Sequence, residues 1–161
     1  MNAPNYSVNG KHVLISGGTG GIGSAFANAF IACGAKVSIC DINQPKEKVN
    51  YDFYKVDVRK DEDVSKLSSD IKKLDVLIHC AGKLIRHEEH KPDVFMDIVN
   101  IHLGGNIRLA SAFRPHLAAS KGCIINIGSM YSYFGASRIP AYASAKTAII
   151  GLTKSLAAAY S

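Results

Sequence analysis

Short apolar runs alternate with amphipathic helical patterns along the whole chain, and this alternation constrains the fold more than any other feature. Residues 12–16 form a buried apolar run, residues 17–20 form a glycine-rich turn, and a helical pattern then continues to Gly34. A strand, a tight turn and a helix that follow one another in this order are typical of βαβ units. The chain is therefore predicted to fold as an α/β protein with a parallel sheet.

Four further strands are predicted from apolar runs at residues 36–41, 53–57, 75–80 and 123–128. Helices are predicted at residues 22–33, 61–73, 92–117 and 140–160, with an interruption of the third at Gly104 and Gly105. The first helix should present an apolar face of Ile22, Ala25, Phe26, Ala29, Phe30 and Cys33, and the last should face the core with Ala145, Ile149, Leu152 and Leu156. The connection rules predict the strand order 3-2-1-4-5, in a single Rossmann-like, doubly wound domain over residues 1–161.

The turn after the first strand carries a run of glycines that suits phosphate binding. It reads Ser16-Gly-Gly-Thr-Gly-Gly-Ile-Gly23, and the missing side chains would let a pyrophosphate approach the backbone and the N-terminus of the next helix. The candidate contacts are Gly17, Thr19, Gly21, Ile22 and Gly23. A tight structural turn is the alternative interpretation, and the strand-turn-helix context disfavours it.

Asp41 ends the second predicted strand, where a carboxylate can accept both hydroxyls of an adenine ribose and repel a 2′-phosphate. No basic residue follows it immediately, and the glycine loop contains none. This pattern favours NAD over NADP. The alternative interpretation is a loop carboxylate that only contacts water.

Tyr142 and Lys146 are four residues apart in the last predicted helix, which Pro140 would open, so they should lie on one face a turn apart. A nearby ammonium favours a phenolate, which a tyrosine needs if it is to exchange protons near neutral pH. Ser129, which follows the fifth strand, is the candidate for holding a substrate oxygen. The alternative interpretation is an ordinary helix start with exposed side chains.

Charge and composition argue against several classes of function. The 19 basic and 13 acidic residues give a net charge of +6, but the basic residues are scattered and form no helix face, so no nucleic-acid partner is predicted. The start of the chain lacks the basic and apolar segments of a signal peptide, and no apolar stretch is long enough to cross a bilayer. Four widely spaced cysteines suit a reducing compartment. We therefore expect a cytoplasmic protein without a membrane partner.

Taken together, these motifs resemble those of the short-chain dehydrogenase/reductase family. The resemblance rests on the glycine loop at residues 16–23, on Asp57-Val58, on Ala81-Gly82, on Ser129 and on Tyr142-x3-Lys146, which occur in the family's order. It covers nearly the whole chain. It implies an oxidoreductase that transfers hydride between NAD and an alcohol or ketone.

The resemblance also implies roles for individual residues. Tyr142 would be the catalytic acid/base, Lys146 would lower its pKa and bind the nicotinamide ribose, and Ser129 would position the substrate oxygen. Asp57 would contact the adenine ring, Val58 would pack beside it, and Ala81 and Gly82 would complete the cofactor site. The helices at residues 93–117 and 140–160 match those that family members use in homodimers or tetramers.

Two positions depart from the family's pattern. The family usually has Asn-Asn-Ala-Gly after the fourth strand, whereas this chain has His79-Cys80 before Ala81 and Gly82, and a cysteine cannot reproduce an amide's hydrogen bonds. Two residues compete for the family's catalytic asparagine position in the following helix. Asn100 has the expected residue type, but a gap-free match favours His102. A histidine there could join a proton relay or could simply pack the helix.

Residues 86–91, Arg-His-Glu-Glu-His-Lys, could supply metal ligands in principle. No further ligand cluster accompanies them, so a solvated charged loop near the substrate entrance is the preferred interpretation and no metal is predicted. Arg86 could there meet an anionic substrate.

Family members continue beyond the last helix with two more strands, a Pro-Gly turn and a substrate lid. This sequence has none of them, so the resemblance implies a domain that is incomplete at its C-terminus, with an exposed fifth strand. A fragment of a longer enzyme is the preferred explanation, and a remnant that binds NAD without efficient turnover is the alternative.

Overall fold

The described residues of this computed structural model, 7–46 and 50–161, contain one five-stranded parallel sheet. The strands are β1 (His12–Ser16), β2 (Lys36–Asp41), β3 (Asp52–Lys55), β4 (Val76–His79) and β5 (Cys123–Asn126). The helices are α1 (Gly21–Ala32), α2 (Asp61–Asp70), α3 (Pro92–Val99), α4 (Gly105–Ser120) and α5 (Pro140–Tyr160), with a π-helix at Asn100–Gly104 and a 3₁₀ helix at Met130–Ser132. The spatial order β3-β2-β1-β4-β5 confirms the predicted Rossmann-like α/β fold.

The sheet buries both of its faces, which is why its strands are apolar at successive positions. Val13 and Ile15 of β1 pack in one cluster with Ala27 of α1. Leu14, between them, points to the opposite cluster, which contains Val64 of α2 and Phe113 of α4. The central strand is fully buried from end to end.

Three predicted strands are shorter than expected at their carboxyl ends. β3 ends at Lys55 rather than Asp57, β4 ends at His79 rather than Cys80, and β5 ends at Asn126 rather than Gly128. The predicted helix at 61–73 also ends early, at Asp70, because Ile71 is extended and buried. Residues 56–58, which follow β3, and residues 80–82, which follow β4, line the cleft described below.

The predicted apolar face of α1 is wrong at four positions. Ile22, Ala25, Ala29 and Cys33 are exposed, while Phe26 and Phe30 pack against the sheet as expected. The buried residues of α1 are Gly23 and Ala27, whose small size lets the helix approach the glycine loop. In α5 the predicted face is correct, since Ala145, Ile149 and Leu156 are buried and Leu152 is half-buried.

The predicted interruption at Gly104 and Gly105 is also wrong, because the chain stays helical from Pro92 to Ser120. Its middle turn is widened into the π-helix, and both flanking residues keep right-handed helical dihedrals. The glycines allow close packing instead: a Cβ on Gly105 would lie 2.7 Å from Cγ2 of Val58. Single π-turns within α-helices occur frequently at functional sites.

β5 lies at the edge of the sheet and pairs only with β4 within the described part of the chain. Residues 1–6, on which the expectation of no signal peptide depends, are outside the described residues. None of the helices in the described residues has the length and hydrophobicity that crossing a bilayer requires.

Candidate active site

A cleft of about 450 Å³ opens where the carboxyl ends of β1, β2, β3 and β4 meet. Seven residues predicted to bind a cofactor line it, although they are far apart in the sequence: Gly17, Thr19, Asp41, Asp57, Val58, Ala81 and Gly82. This is the edge at which open parallel sheets bind their ligands. The structure therefore brings these predicted residues together.

The glycine loop forms the floor of this cleft, and a side chain at Gly17, Gly18 or Gly23 would clash with neighbouring atoms. Gly17 has φ +68°, and a Cβ there would lie 2.6 Å from the backbone nitrogen of Ala81. Gly21, Ile22 and Gly23 form the first turn of α1, and no side chain caps the N–H groups of that turn. These donors can therefore bind an anion.

Asp41 is half-buried at the end of β2, and its carboxylate is oriented by two backbone N–H groups. Oδ2 accepts from Thr19 at 3.2 Å, and Oδ1 accepts from Asn43 at 3.0 Å. The first bond joins Asp41 to the glycine loop. A carboxylate held in this way keeps lone pairs free for ligand hydroxyls.

Asp57 lies in the cleft as predicted, but it also forms an ion pair that the sequence analysis missed. Nη2 of Arg59 donates to its Oδ2 at 2.7 Å, and Nη1 of Arg59 donates to Asp97 at 2.7 Å. The hydrogen bond from Arg59 is the main reason why the pKa of Asp57 is lowered. Asp57 is thus an ionised carboxylate held in place by Arg59.

Tyr142 and Lys146 lie one turn apart near the start of α5. The Lys146 Nζ is 5.6 Å from the centroid of the Tyr142 ring and donates to the carbonyl of Ile127 at 2.6 Å. The lysine side chain is buried, and burial lowers its pKa. The arrangement places a desolvated ammonium beside a half-buried phenol.

Ser129 lies at the N-cap of the 3₁₀ helix that follows β5, and its Oγ accepts from the N–H of Tyr131 at 3.2 Å. Ser132, which the sequence analysis did not single out, fastens this helix to α5. Its Oγ donates to the carbonyl of Lys146 at 2.7 Å and accepts from the N–H of Ser129 at 3.2 Å. The Ser129 and Lys146 backbones are therefore joined through one buried hydroxyl.

The sequence that folds into this site is matched by a family model. The model described as short chain dehydrogenase covers residues 11–161. The chain belongs to this family. The predicted family is therefore confirmed.

Two relatives illustrate the similarity. The L-fucose dehydrogenase of Oryctolagus cuniculus is 35% identical over 161 residues, which are 92% of this chain and 57% of that protein. The dehydrogenase/reductase SDR family member 6 of Aquarana catesbeiana is 37% identical over 164 residues, or 94% of this chain and 65% of that protein. The chain thus spans about three fifths of the length of these curated relatives.

Solved structures of the family agree with the fold. Ligand-free aldohexose dehydrogenase from Thermoplasma acidophilum has a TM-score of 0.92 and 28% identity, over 98% of this chain and 64% of the other. A short-chain dehydrogenase from Leptospira borgpetersenii with bound NAD⁺ has a TM-score of 0.88 and 29% identity, over 99% and 71% of the two chains.

Of the two candidates for the family's asparagine position, His102 is the one that lies beside Tyr142. Its ring is buried, and its centroid is 5.3 Å from that of Tyr142. Its Nε2 lies 3.2 Å from the N–H nitrogen and 3.0 Å from the carbonyl oxygen of Lys83. Asn100 instead accepts from Nη1 of Arg108 at 2.9 Å, on a different side of the helix.

His79, which stands where the resemblance implies an amide, forms a hydrogen bond at the start of the glycine loop. Nδ1 of His79 forms a 2.8 Å hydrogen bond with Oγ of Ser16, across the pair β1 and β4. The ring is buried near the backbone of Ile101 and His102. Its Nε2 nevertheless forms no hydrogen bond within the described part of the chain.

Burial lowers the pKa of His79 to about 3 and raises that of Cys80 to about 11. Both side chains are therefore neutral at pH 7.

The interpretation of residues 86–91 as a solvated loop is wrong for Glu89, which is fully buried. Arg86 and His87 are exposed as expected, and Glu88 pairs with Lys91 at the surface. Within residues 7–46 and 50–161, no cluster of His, Cys, Asp or Glu side chains is arranged to hold a metal ion. The loop is therefore a mixed element, with a charged outer surface and one buried carboxylate.

Proposed function

We propose that this chain is the dinucleotide-binding part, over residues 1–161, of an NAD-dependent short-chain dehydrogenase. The enzyme would transfer hydride between the nicotinamide and the carbinol carbon of an alcohol or its ketone. The observation that carries the proposal is the buried Lys146 ammonium, 5.6 Å from the Tyr142 ring at the same sheet edge as the cleft. We retain the cytoplasm as its expected location.

The residues present fit a dinucleotide. The uncapped first turn of α1 and the bare backbone at Gly17 suit a pyrophosphate, and Asp41 suits the two hydroxyls of an adenine ribose. Ile42 and Asn43, which line the cleft next to Asp41, carry no charge that would attract a 2′-phosphate. The bound nicotinamide would supply the redox chemistry, as acceptor or donor of the hydride.

The protein's own residues would move the proton. In alcohol oxidation the substrate O–H proton passes to the Tyr142 oxygen as the hydride leaves carbon, and in ketone reduction Tyr142 returns it. The Lys146 ammonium would stabilise the negative charge that develops on the Tyr142 oxygen during this transfer, and its bond to Ile127 fixes its position. Ser129, at the start of the 3₁₀ helix that follows β5, would orient the substrate oxygen.

The Tyr142→Phe substitution tests this assignment in a form of the protein that is long enough to turn over substrate. The variant removes only the phenolic oxygen, so turnover should fall by at least about 10³-fold while the Kd for NADH changes by less than about twofold. The names of the relatives suggest aldoses, including L-fucose, as the first substrates to assay. Turnover that survives in Tyr142→Phe would refute the role of Tyr142.

A non-catalytic NAD-binding module is the second candidate, and the loss of both amides at His79 and Cys80 favours it. It predicts NADH binding without turnover of any alcohol or ketone in a panel. We also expect, from the resemblance, a homodimer or tetramer assembled through the continuous helix of α3 and α4 (residues 93–117) and through α5. Sedimentation velocity measures that assembly directly.

A further inference from the structure

The loop at residues 85–91, called here the brace loop, is fastened to the segment that leads into α5. The N–H of His87 donates to the carbonyl of Arg138 at 3.0 Å. The ring Nε2 of His90 lies 2.8 Å from the carbonyl oxygen of Ser137. His87 adopts φ +70°, a left-handed conformation that is uncommon outside glycine and is maintained here by these surroundings.

Glu89 is the buried centre of the brace loop. Its Oε1 accepts from the N–H of Ile85 at 2.9 Å, and its Oε2 accepts from the N–H of Tyr142 at 2.8 Å. Its side chain is fully buried, and none of the described basic side chains forms an ion pair with it. Two backbone N–H groups from separate segments therefore stabilise this carboxylate.

The start of α5 lacks the capping group that helices usually supply for themselves. Its N-cap residue is Ile139, which has no side-chain acceptor, and Pro140 follows at the first helical position. Tyr142 is the third residue of the helix, so its N–H has no acceptor within the helix. Glu89 supplies that acceptor from another part of the chain, and its charge also suits the positive end of the helix.

We propose that Glu89 is a positioning residue for Tyr142, a role that rests on the proposed function of Tyr142 as the acid/base. The carboxylate fixes the backbone of Tyr142 relative to Ile85 and the rest of the brace loop. Both bonds need an acceptor, and only a carboxylate offers one oxygen to each N–H group. A glutamine has the same shape but would present its NH₂ group to one of the two donors.

Amide hydrogen exchange measured by NMR tests the contact independently of any activity. In Glu89→Gln, the exchange of the Tyr142 or the Ile85 amide should accelerate by about 10-fold or more, because one of them loses its acceptor. Glu88→Gln is the matched control, since Glu88 pairs with Lys91 at the surface and should leave both amides unchanged. Unchanged protection of both amides in Glu89→Gln would overturn the proposal.

Steady-state kinetics test the consequence for catalysis, in a form of the protein that is long enough to turn over substrate. Glu89→Gln should lower kcat by about 10- to 100-fold, because a small displacement of Tyr142 misaligns proton transfer, and should change KM for NADH by less than about twofold. Glu88→Gln should keep wild-type kcat. A wild-type kcat in Glu89→Gln would overturn the positioning role while leaving the function of Tyr142 intact.

Chemical rescue separates positioning from general stability. Glu89→Ala leaves a cavity with two unpaired N–H donors, and formate is small enough to accept from both. Added formate should restore part of kcat in Glu89→Ala, whereas Glu89→Leu, whose side chain fills the cavity, should not respond. If formate rescues neither variant, the lost activity reflects general destabilisation and the positioning role is refuted. If the wild-type protein turns over no substrate, the proposed function fails, and the exchange experiment alone decides whether Glu89 holds Tyr142.

Discussion

The ring of His102 stands edge-on to the ring of Tyr142, with centroids 5.3 Å apart and planes at 82°. The Nε2 of the same histidine contacts the backbone of Lys83, which follows Ala81 and Gly82 in the lining of the cleft. His102 therefore connects the segment that lines the cleft with the proposed acid/base.

His102→Phe distinguishes the two roles that the sequence allows for this residue. Phenylalanine preserves a buried ring beside Tyr142 but has no nitrogen that could pass a proton. A relay role predicts that kcat falls by about 10²-fold or more, and a packing role predicts that it stays within a few-fold of wild type. We expect the larger loss, because the imidazole lies next to the ring of the proposed acid/base, with centroids 5.3 Å apart. Turnover near the wild-type rate would show that His102 only packs the helix.

Stability should decrease as the pH falls from 7.5 to 5.0. Burial lowers the pKa of His102 to about 4 and that of His79 to about 3, whereas both titrate near 6.5 in the unfolded chain. In this window the unfolded state binds more protons than the native state, so acid favours unfolding. Each imidazole should account for a loss on the order of 2 kcal/mol.

Urea unfolding at the two pH values measures this difference. Carboxylates such as Asp57, whose pKa is lowered from 3.8, contribute mainly below the chosen window. His102→Phe should reduce the pH dependence, because one of the buried imidazoles with a lowered pKa is then gone. Equal free energies of unfolding at pH 7.5 and pH 5.0 in the wild type would contradict the prediction.

Gly17→Ala should destabilise the protein and weaken cofactor binding. The substitution forces an alanine into φ +68° and puts its Cβ 2.6 Å from the backbone of Ala81, so we expect a loss of about 2 kcal/mol or more. Gly21→Ala is the control for stability, because a Cβ there would meet no atom within 4 Å. Thermal unfolding compares the two variants, and similar melting temperatures would argue against a steric role of Gly17.

Asp41→Asn should shift cofactor preference towards NADPH. The substitution removes the negative charge that would repel a 2′-phosphate, and it replaces one of the two acceptor oxygens that Thr19 and Asn43 now use. The ratio of the Kd values for NADPH and NADH, measured by fluorescence titration, should decrease by about 10-fold or more. A wild-type protein that binds NADPH more tightly than NADH would contradict the assignment at the outset.

The sequence predicts the sheet well because the strands are apolar on both faces and the connections obey strong handedness rules. It also predicts that the candidate cofactor residues lie together, since strand order alone brings Gly17, Asp41, Asp57 and Ala81 to one edge. The ends of the strands were less predictable. Whether Asp57 or Cys80 pairs with a neighbouring strand depends on where the chain turns away, and the residues themselves do not encode that.

The role of Glu89 could not be read from the sequence because Glu88 and Glu89 are the same residue type in one charged segment. Which of them is buried depends on how the brace loop docks against α5. One local signal was available: Ile139 before Pro140 leaves a predicted helix start without a capping side chain. A helix that cannot cap itself requires a partner from elsewhere in the fold.

The π-helix at Asn100–Gly104 has a consequence for how this site could have arisen. A π-turn is an α-helical turn that holds one additional residue, so deleting one residue within it would restore a regular α-helix. An extra residue in a regular α-helix would rotate the residues beyond it by about 100° about the axis, and the π-turn takes up that rotation. α4 therefore keeps Phe113 in the core although the helix holds an additional residue before it. A single-codon deletion within residues 100–104 should accordingly preserve the packing of α3 and α4 and change only the π-turn, which places His102 beside Tyr142.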